Sequence, residues 1–277
     1  MDSQIYWEAD MEFTKEDKEI PENLSRLVID YCDPLFISTR PLSQQKNIKK
    51  SNGTITYLKY KGQLWGITNS HVSECENSSK ILALYGYGTP PIHLTEENFY
   101  GGFKSLQKNG DKSYPDIAII KFCDKVKSTH FDSNFRKAID LDRWEEPLEN
   151  EIITPVAFGF PTEHKTQNGL VTSSPLVLVT GRISSGWSQH HNSFSFHAQL
   201  NGDSDYYLSG ISGGPIFHAE NREDNPLIIG ITYEGSPGSK ENESTLFGMN
   251  NAVVSGYTLT PKIFEQWLSD AGFIDFK

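Results

Sequence analysis

Cysteine is scarce in this chain of 277 residues, and long apolar runs are absent. Cys32, Cys75 and Cys123 are odd in number and lack metal-ligand spacing, so they predict reduced thiols rather than a disulfide framework. No run of about 18 apolar residues occurs, and no apolar segment follows a basic start, so we expect neither a membrane span nor a signal peptide. Together these absences predict a cytoplasmic protein that has no membrane partner.

Basic residues are also few, since 25 Lys and Arg face 36 Asp and Glu and the formal net charge is −11. Residues 1–33 hold ten acidic and three basic side chains, which gives 3 − 10 = −7 for this segment alone. Recognition of phosphates needs a basic surface, so nucleic acid is disfavoured as a partner. We interpret residues 1–33 as an acidic extension, in which Leu24, Leu27, Val28 and Tyr31 have helical spacing. It could bind a regulatory protein partner or pack as a helix.

Helical periodicity is weak elsewhere, whereas short β-branched and aromatic runs bounded by turn residues are frequent. This pattern predicts an all-β protein. The runs fall into two series, residues 34–122 and 151–260, separated by the charged and irregular residues 123–150. We expect this middle stretch to connect two β units. Pro261, followed by apolar residues at helical spacing, predicts a C-terminal helix within residues 261–277.

The main chemical signal is a serine among glycines, in residues 210–214, Gly-Ile-Ser-Gly-Gly. An oxyanion hole needs two convergent N–H groups about 3 Å from the developing negative oxygen, and the amides of Gly210 and Ser212 are candidates. The pattern also fits a plain glycine-rich turn, or the nucleophile elbow of an α/β-hydrolase, in which acid and histidine follow the serine. Only His218 follows Ser212, and the parallel βα repeats of that fold are missing, which argues against the α/β-hydrolase.

A histidine and an acid that could serve this serine precede it in the chain. His71 ends one apolar strand, and Asp116 begins another. Either residue alone could be structural, but the order His, Asp, Ser favours a catalytic triad. A serine hydroxyl is a poor nucleophile on its own, so His71 would accept the proton of Ser212 and pass it to the leaving amine. Asp116 would fix the imidazole tautomer and stabilise its cation.

Three segments carry a family resemblance. Residues 68–72 (TNSHV) resemble a Thr-Ala-Ala-His segment, residues 116–121 (DIAIIK) resemble an Asp-Ile-Ala-Leu-Leu segment, and residues 212–215 (SGGP) complete the set. The chain therefore resembles the chymotrypsin-fold, or trypsin-like, serine peptidases, and most nearly their HtrA-like (Deg) branch without a PDZ domain. The resemblance covers residues 35–268. It implies two six-stranded antiparallel β-barrels packed face to face, the first carrying the histidine and aspartate and the second the serine.

The resemblance also implies residues that contact the substrate. The segment Ile229–Gly235 resembles the strand on which a substrate backbone pairs, so we expect Thr232, Tyr233 and Glu234 at a substrate-binding edge. Six residues before the serine, where trypsin-like enzymes carry an aspartate that binds basic side chains, this chain has Tyr206. Tyr206 is therefore a candidate specificity residue, and the preferred substrate side chain stays open.

The sequence thus predicts a trypsin-like serine endopeptidase that cleaves protein or peptide substrates through an acyl-enzyme. No cofactor is expected, and His190, His191 and His197 lack the carboxylates or cysteines of a metal site. Ile211 stands where trypsinogen-like zymogens carry an aspartate, so activation by a freed N-terminus is not expected. One alternative is a catalytically silent two-barrel module that binds peptides in the same groove. Another is an effector that stays inactive until a partner orders its loops.

Overall fold

The structure is a computed structural model. It describes residues 5–7, 29–38, 53–73, 81–84, 92–94, 102–107, 111–133, 135–147, 153–162, 166–168, 171–173, 176–183, 187–188, 192–199, 207–219, 226–236 and 251–274. Cys75, His190, His191 and Tyr206 lie outside these ranges, as does most of the predicted helix, from Leu24 to Val28.

Strands dominate the described residues. In chain order they are β1 (Ile5–Trp7), β2 (Cys32–Ser38), β3 (Gly53–Tyr60), β4 (Gln63–Thr68), β5 (Ile81–Leu84), β6 (Ile92–Leu94), β7 (Lys104–Ser105), β8 (Ala118–Lys121), β9 (Ile139–Asp140), β10 (Pro155–Gly159), β11 (Thr166–Asn168), β12 (Val171–Ser173), β13 (Val177–Thr180), β14 (Arg182–Ile183), β15 (Ser193–Gln199), β16 (Pro215–His218), β17 (Ile228–Ser236) and β18 (Asn251–Thr258). The helical segments are α1 (Ser70–Ser73), α2 (Asp124–Val126), a π-helical turn (Lys127–Phe131), a 3-10 turn (Leu141–Arg143) and α3 (Pro261–Asp270).

The strands form two sheets and one small hairpin, β11–β12. The first sheet has the order β6-β5-β2-β3-β4-β8-β7, with β9 paired in parallel to β3, and the second has the order β1-β13-β10-β16-β17-β18-β15-β14. Apart from the β3–β9 and β1–β13 pairs, the described strand pairs are antiparallel, and one sheet curves into a half-barrel. The predicted all-β, two-barrel class is confirmed. Among the described residues each sheet has eight strands rather than six, because short additional strands extend it.

The hairpin β3–β4 shows how local sequence sets the first sheet. Lys61 and Gly62 both have positive φ, 49° and 72°, as a two-residue type I′ turn requires. This turn fixes the register, in which Tyr60 lies opposite Gln63 and Thr56 opposite Ile67. Strand β4 therefore ends at Thr68, three residues before the predicted catalytic histidine.

The N-terminal segment takes more part in the fold than the predicted acidic extension would. Ile5–Trp7 pairs in parallel with the edge strand β13, so an extension becomes the outer strand of the second sheet. This short β-branched and aromatic run has high strand propensity, and an edge strand offers it backbone hydrogen bonds. At the other end of the segment, Tyr31 and Cys32 are buried in the core, and β2 begins at Cys32.

The C-terminal helix forms as the sequence predicts and packs against the first sheet. Thr260 caps α3, since its hydroxyl accepts a hydrogen bond from the Ile263 N–H at 3.2 Å, and Pro261 occupies the first turn. Phe264 is fully buried and meets Tyr60 and Trp65 edge to face. This packing stabilises the end of the β3–β4 hairpin that lies away from His71.

The connection between the two β units is more ordered than its charged sequence suggests. Within it, Arg136 is 2% exposed and donates a hydrogen bond from Nε to Asp33 Oδ2 at 2.5 Å. The Tyr57 hydroxyl donates to the same oxygen at 2.6 Å, and Nη1 of Arg136 lies 3.2 Å from Nδ1 of His130. A buried ion pair therefore joins the connection to β2 and β3.

Candidate active site

Two polar side chains that follow β4 bind the backbone just before β8 and so place His71 beside it. Asn69 donates a hydrogen bond from Nδ2 to the Asp116 carbonyl at 2.6 Å, and the Ser70 hydroxyl donates to the Ile117 carbonyl at 2.8 Å. Because Thr68 and Ala118 are paired in the sheet, these bonds continue the contact between the two strands beyond their ends. They bring together two residues that are 45 positions apart in the sequence, His71 and Asp116.

His71 and Asp116 form a two-point contact. Nδ1 of His71 is hydrogen-bonded to Oδ2 of Asp116, and the backbone N–H of His71 donates to Oδ1 at 3.1 Å. Burial raises the pKa of the Asp116 carboxyl, but the hydrogen bonds and charge of His71, together with the Ser70 amide, outweigh it, so that pKa lies below its usual value. Asp116 is therefore ionised at neutral pH and can hold the imidazole with Nε2 free for proton transfer.

Ser212 lies in a tight turn that only glycine can form at two positions. Gly210 and Gly213 have φ of 99° and 87°, in the region that L side chains disfavour. A Cβ on Gly213 would also lie 2.1 Å from the Thr54 carbonyl oxygen. The Ser212 hydroxyl donates to the Tyr233 carbonyl at 3.2 Å, and among the described residues it makes no hydrogen bond with His71.

The predicted oxyanion-hole amides are oriented by the carbonyls of their own peptide groups. The Ser209 carbonyl accepts from the Thr162 N–H at 2.7 Å, and the Ile211 carbonyl accepts from the Gly214 N–H at 2.9 Å. In a trans peptide the N–H points opposite to the C=O, so these bonds turn the N–H groups of Gly210 and Ser212 the other way. Neither N–H donates to an acceptor within the described part of the chain, which leaves both available to an oxyanion.

Strand β3 of the first sheet anchors the turn that carries Ser212. The Thr54 N–H donates to the Ser212 carbonyl at 2.8 Å, and the Thr54 hydroxyl donates to the Gly210 carbonyl at 3.1 Å. The Thr56 hydroxyl donates to the Gly213 carbonyl at 2.8 Å. Sequence reasoning missed both threonines. The available signal was two alternate hydroxyl residues on one face of a mostly apolar strand, where a buried hydroxyl needs a partner.

The predicted substrate edge lies on β17 beside Ser212. Thr232 is buried and exchanges backbone hydrogen bonds with Gly213 and Gly214, both 2.8 Å long. Tyr233 is the extra residue of a β-bulge, because Thr232 pairs with Gly256 while Glu234 pairs with Ser255. Its carbonyl is thereby directed to Ser212, and Glu234 is exposed at the strand edge. Tyr206 lies outside the described residues.

His218 does not take part in this site. It lies in β16 and is buried, and its Nδ1 is 3.2 Å from the Thr154 backbone nitrogen. Both neighbours of β16 are antiparallel to it, which excludes the parallel sheet of an α/β-hydrolase. Among the residues that the structure describes, no group of three or more His, Cys, Asp and Glu is arranged to hold a metal ion. No described helix is long and apolar enough to cross a membrane.

Comparison with known proteins connects this geometry to a fold. No protein-family model matches the chain, and no curated protein matches it. One solved structure that it resembles is a thermostable serine protease, AL20, from an extremophilic microorganism. The match has 12% sequence identity and a TM-score of 0.51, and it covers 87% of this chain and 97% of that chain. At this identity the likeness shows the fold alone: the chain has a chymotrypsin-like fold.

Proposed function

We propose that this protein is a serine endopeptidase in which Ser212 is the nucleophile, His71 its general base and Asp116 the residue that orients the base. The observation that carries the proposal is the His71–Asp116 pair, held by two hydrogen bonds, in a fold shared with a serine protease. The turn of Ser212 supports it, because the N–H groups of Gly210 and Ser212 donate to no acceptor among the described residues. The sequence resemblance favours the HtrA-like branch, and the expected substrates are proteins or peptides in the cytoplasm.

The reaction would proceed by acyl transfer. Ser212 Oγ attacks the scissile carbonyl carbon while its proton passes to Nε2 of His71, and the Gly210 and Ser212 amides stabilise the oxyanion that forms. His71 then gives the proton to the leaving amine, and the C–N bond breaks to leave an acyl-enzyme. Water, deprotonated by His71, hydrolyses the ester and restores Ser212.

Substrate binding would also prepare the nucleophile. The Ser212 hydroxyl rests on the Tyr233 carbonyl, so its proton must turn from that oxygen towards His71 before attack. Beyond Tyr233, β17 pairs with β18 on one side and with no described strand on the other. A substrate strand that pairs on that other side would occupy this space and compete for the carbonyl. This resting hydrogen bond is also what a partner-controlled effector or a silent peptide-binding module would show, so the two alternatives need a chemical test.

A fluorophosphonate probe provides that test, because it labels a serine only when base and oxyanion hole act on it. Wild-type protein should be labelled at Ser212, as mapped by mass spectrometry, whereas Ser212→Ala should not be labelled and His71→Ala should react far more slowly. A proteome-derived peptide library then gives the cleavage specificity. Wild-type protein that neither reacts with the probe nor cleaves the library, yet binds peptides, would be a silent module.

A further inference from the structure

A tyrosine of the second sheet holds the backbone of the catalytic acid. The Asp116 N–H donates a hydrogen bond to the Tyr257 hydroxyl oxygen at 3.0 Å, although the two residues are 141 positions apart. The Asp116 carbonyl accepts from Asn69 at 2.6 Å. Both backbone polar groups of Asp116 are therefore bound by side chains rather than by the sheet, since β8 begins only at Ala118.

The same tyrosine also contacts the nucleophile's surroundings. The rings of Tyr257 and Tyr233 stack with centroids 4.4 Å apart and planes inclined by 31°. The carbonyl of Tyr233 is the group that accepts the Ser212 hydroxyl at 3.2 Å. Tyr257 thus contacts the surroundings of both ends of the triad. It is hydrogen-bonded to Asp116, and its ring packs on Tyr233, whose carbonyl binds Ser212.

We propose that Tyr257 is a positioning residue, whose hydroxyl oxygen fixes the Asp116 backbone so that the His71–Asp116 pair is aligned with Ser212. This inference rests on the proposed peptidase function. Asp116 comes from the first β unit and Ser212 from the second, so a group that joins the two sets the distance over which His71 must act. A displacement of about 1 Å at a reacting group can cost on the order of 100-fold in rate.

The chemistry of the contact suits this role. The oxygen of a neutral tyrosine hydroxyl can accept a hydrogen bond from a backbone N–H. The neutral form also avoids a second negative charge beside the Asp116 carboxylate. Burial raises the pKa of Tyr257, and the Asp116 carboxylate raises it further, while the bond from the Asp116 N–H lowers it; the net shift is upward. The Tyr257 hydroxyl is therefore neutral at neutral pH.

Tyr257→Phe is the test, because it removes one oxygen and keeps the ring that stacks on Tyr233. We expect kcat and the rate of fluorophosphonate labelling to fall about 10- to 100-fold, with KM changed less than about threefold. Tyr60→Phe is the matched control, since it removes the hydroxyl of a tyrosine that packs on Phe264, away from the site. It should leave both rates unchanged. Wild-type rates in Tyr257→Phe, with a wild-type melting temperature, would overturn the proposal.

A double-mutant cycle shows whether Tyr257 acts through Asp116. In an Asp116→Asn background, Tyr257→Phe should cost no more than about twofold, because the group that it positions has already lost its function. A full additional loss in that background would mean that Tyr257 acts elsewhere. That outcome also overturns the inference.

A readout that needs no activity separates this inference from the proposed function. The proton between Nδ1 of His71 and Asp116 should give a low-field NMR signal, which Tyr257→Phe should shift or broaden and Tyr60→Phe should not. Tyr233→Leu removes the stack but keeps the Tyr257 hydroxyl, so the signal should persist. If the signal is lost equally in Tyr233→Leu, the ring contact and not the hydroxyl does the positioning, and the inference is wrong. If the wild type is not labelled at Ser212, the peptidase proposal fails, while this signal still tests Tyr257.

Discussion

The hydroxyl of Thr54 donates to the carbonyl of Gly210 at 3.1 Å, from a strand of the first sheet to the turn that presents the nucleophile. The Thr54 hydroxyl oxygen also accepts from the Phe160 N–H at 3.1 Å. Thr54 is completely buried, so water cannot replace either bond. The candidate oxyanion hole on the second sheet thus depends on a side chain of the first.

Thr54→Val tests that dependence with a nearly isosteric change. It leaves the Gly210 carbonyl and the Phe160 N–H without their partner, and each buried unpaired group costs about 1–3 kcal/mol in the free energy of unfolding. Because Gly210 then moves more freely, we expect kcat to fall on the order of 10-fold to 100-fold. Urea denaturation and steady-state kinetics measure the two effects.

Thr56→Val provides the control for this change. In the described part of the chain the Thr56 hydroxyl donates to the Gly213 carbonyl at 2.8 Å, so the substitution removes an anchor beyond the nucleophile. We expect a similar or smaller loss of stability and a smaller loss of kcat than in Thr54→Val. Equal kinetic losses in the two variants would show that the anchors act on the turn as a whole and not on the Gly210 amide.

Ser212→Ala should abolish hydrolysis and leave the fold intact. A triad that acts as a unit loses on the order of 10⁶ in kcat when its nucleophile is removed. In stability the variant gives up one hydrogen bond, to the Tyr233 carbonyl, which amounts to about 0.5–1.5 kcal/mol. Turnover close to that of the wild type, at a normal melting temperature, would mean that another residue is the nucleophile.

Asp116→Asn should affect both rate and acid stability. The amide presents the wrong hydrogen-bonding pattern to His71, which costs on the order of 10⁴ in kcat in a triad of this kind. The folded-state pKa of Asp116 is lowered from its usual 3.8, so the native state binds this proton more weakly than the unfolded chain does. The carboxylate therefore contributes stability above about pH 4 and loses it as the pH falls through the lowered pKa.

The measurement for Asp116 is urea denaturation of wild type and Asp116→Asn between about pH 6 and pH 3. The difference in the free energy of unfolding should be largest near pH 6 and should shrink below the usual carboxyl pKa, where the wild type also carries a protonated acid. A difference that stays constant over this range would show that the contact with His71 does not depend on the charge of Asp116.

Local sequence predicts this fold best where one segment determines its own structure. The helix predicted from Pro261 begins at that residue, because Thr260 caps its first turn and proline is favoured there. His71 and Asp116 could be found because they adjoin apolar strands whose pairing brings the strand ends together. Such patterns need no knowledge of distant contacts.

The contacts that sequence reasoning missed join residues that are far apart in the sequence. Thr54 and Gly210 are 156 positions apart, and Asp116 and Tyr257 are 141 apart. No local periodicity reports such pairs, because each residue is ordinary for its own strand. The pairing of Ile5–Trp7 with β13 was missed for a related reason, since three residues give too short a pattern and the surrounding charge favours an extension. These features depend on which distant segments of the chain meet in the folded protein.

Arg136 supplies a prediction that does not depend on catalysis. Its guanidinium is almost fully buried and pairs with the equally buried Asp33, whose oxygen also accepts from the Tyr57 hydroxyl at 2.6 Å. Arg136→Met removes the cation and leaves the Asp33 carboxylate without its counter-charge in the core, a change that costs about 3–5 kcal/mol. The double variant Asp33→Asn with Arg136→Met removes both charges, so it should be more stable than Arg136→Met alone.

The neighbouring residue Lys137 is the control for Arg136. It pairs with Asp30 at 3.2 Å, but both side chains are more than a third exposed, so Lys137→Met should cost at most about 1 kcal/mol. Chemical denaturation of the four proteins, with the wild type as reference, gives the free energies. If Arg136→Met cost no more than Lys137→Met, the buried charge of Asp33 would be neutralised by protonation and not by Arg136. In that case the stability of Arg136→Met should depend on pH. If Asp33 must take up a proton when the variant folds, the free energy of unfolding should fall as the pH rises.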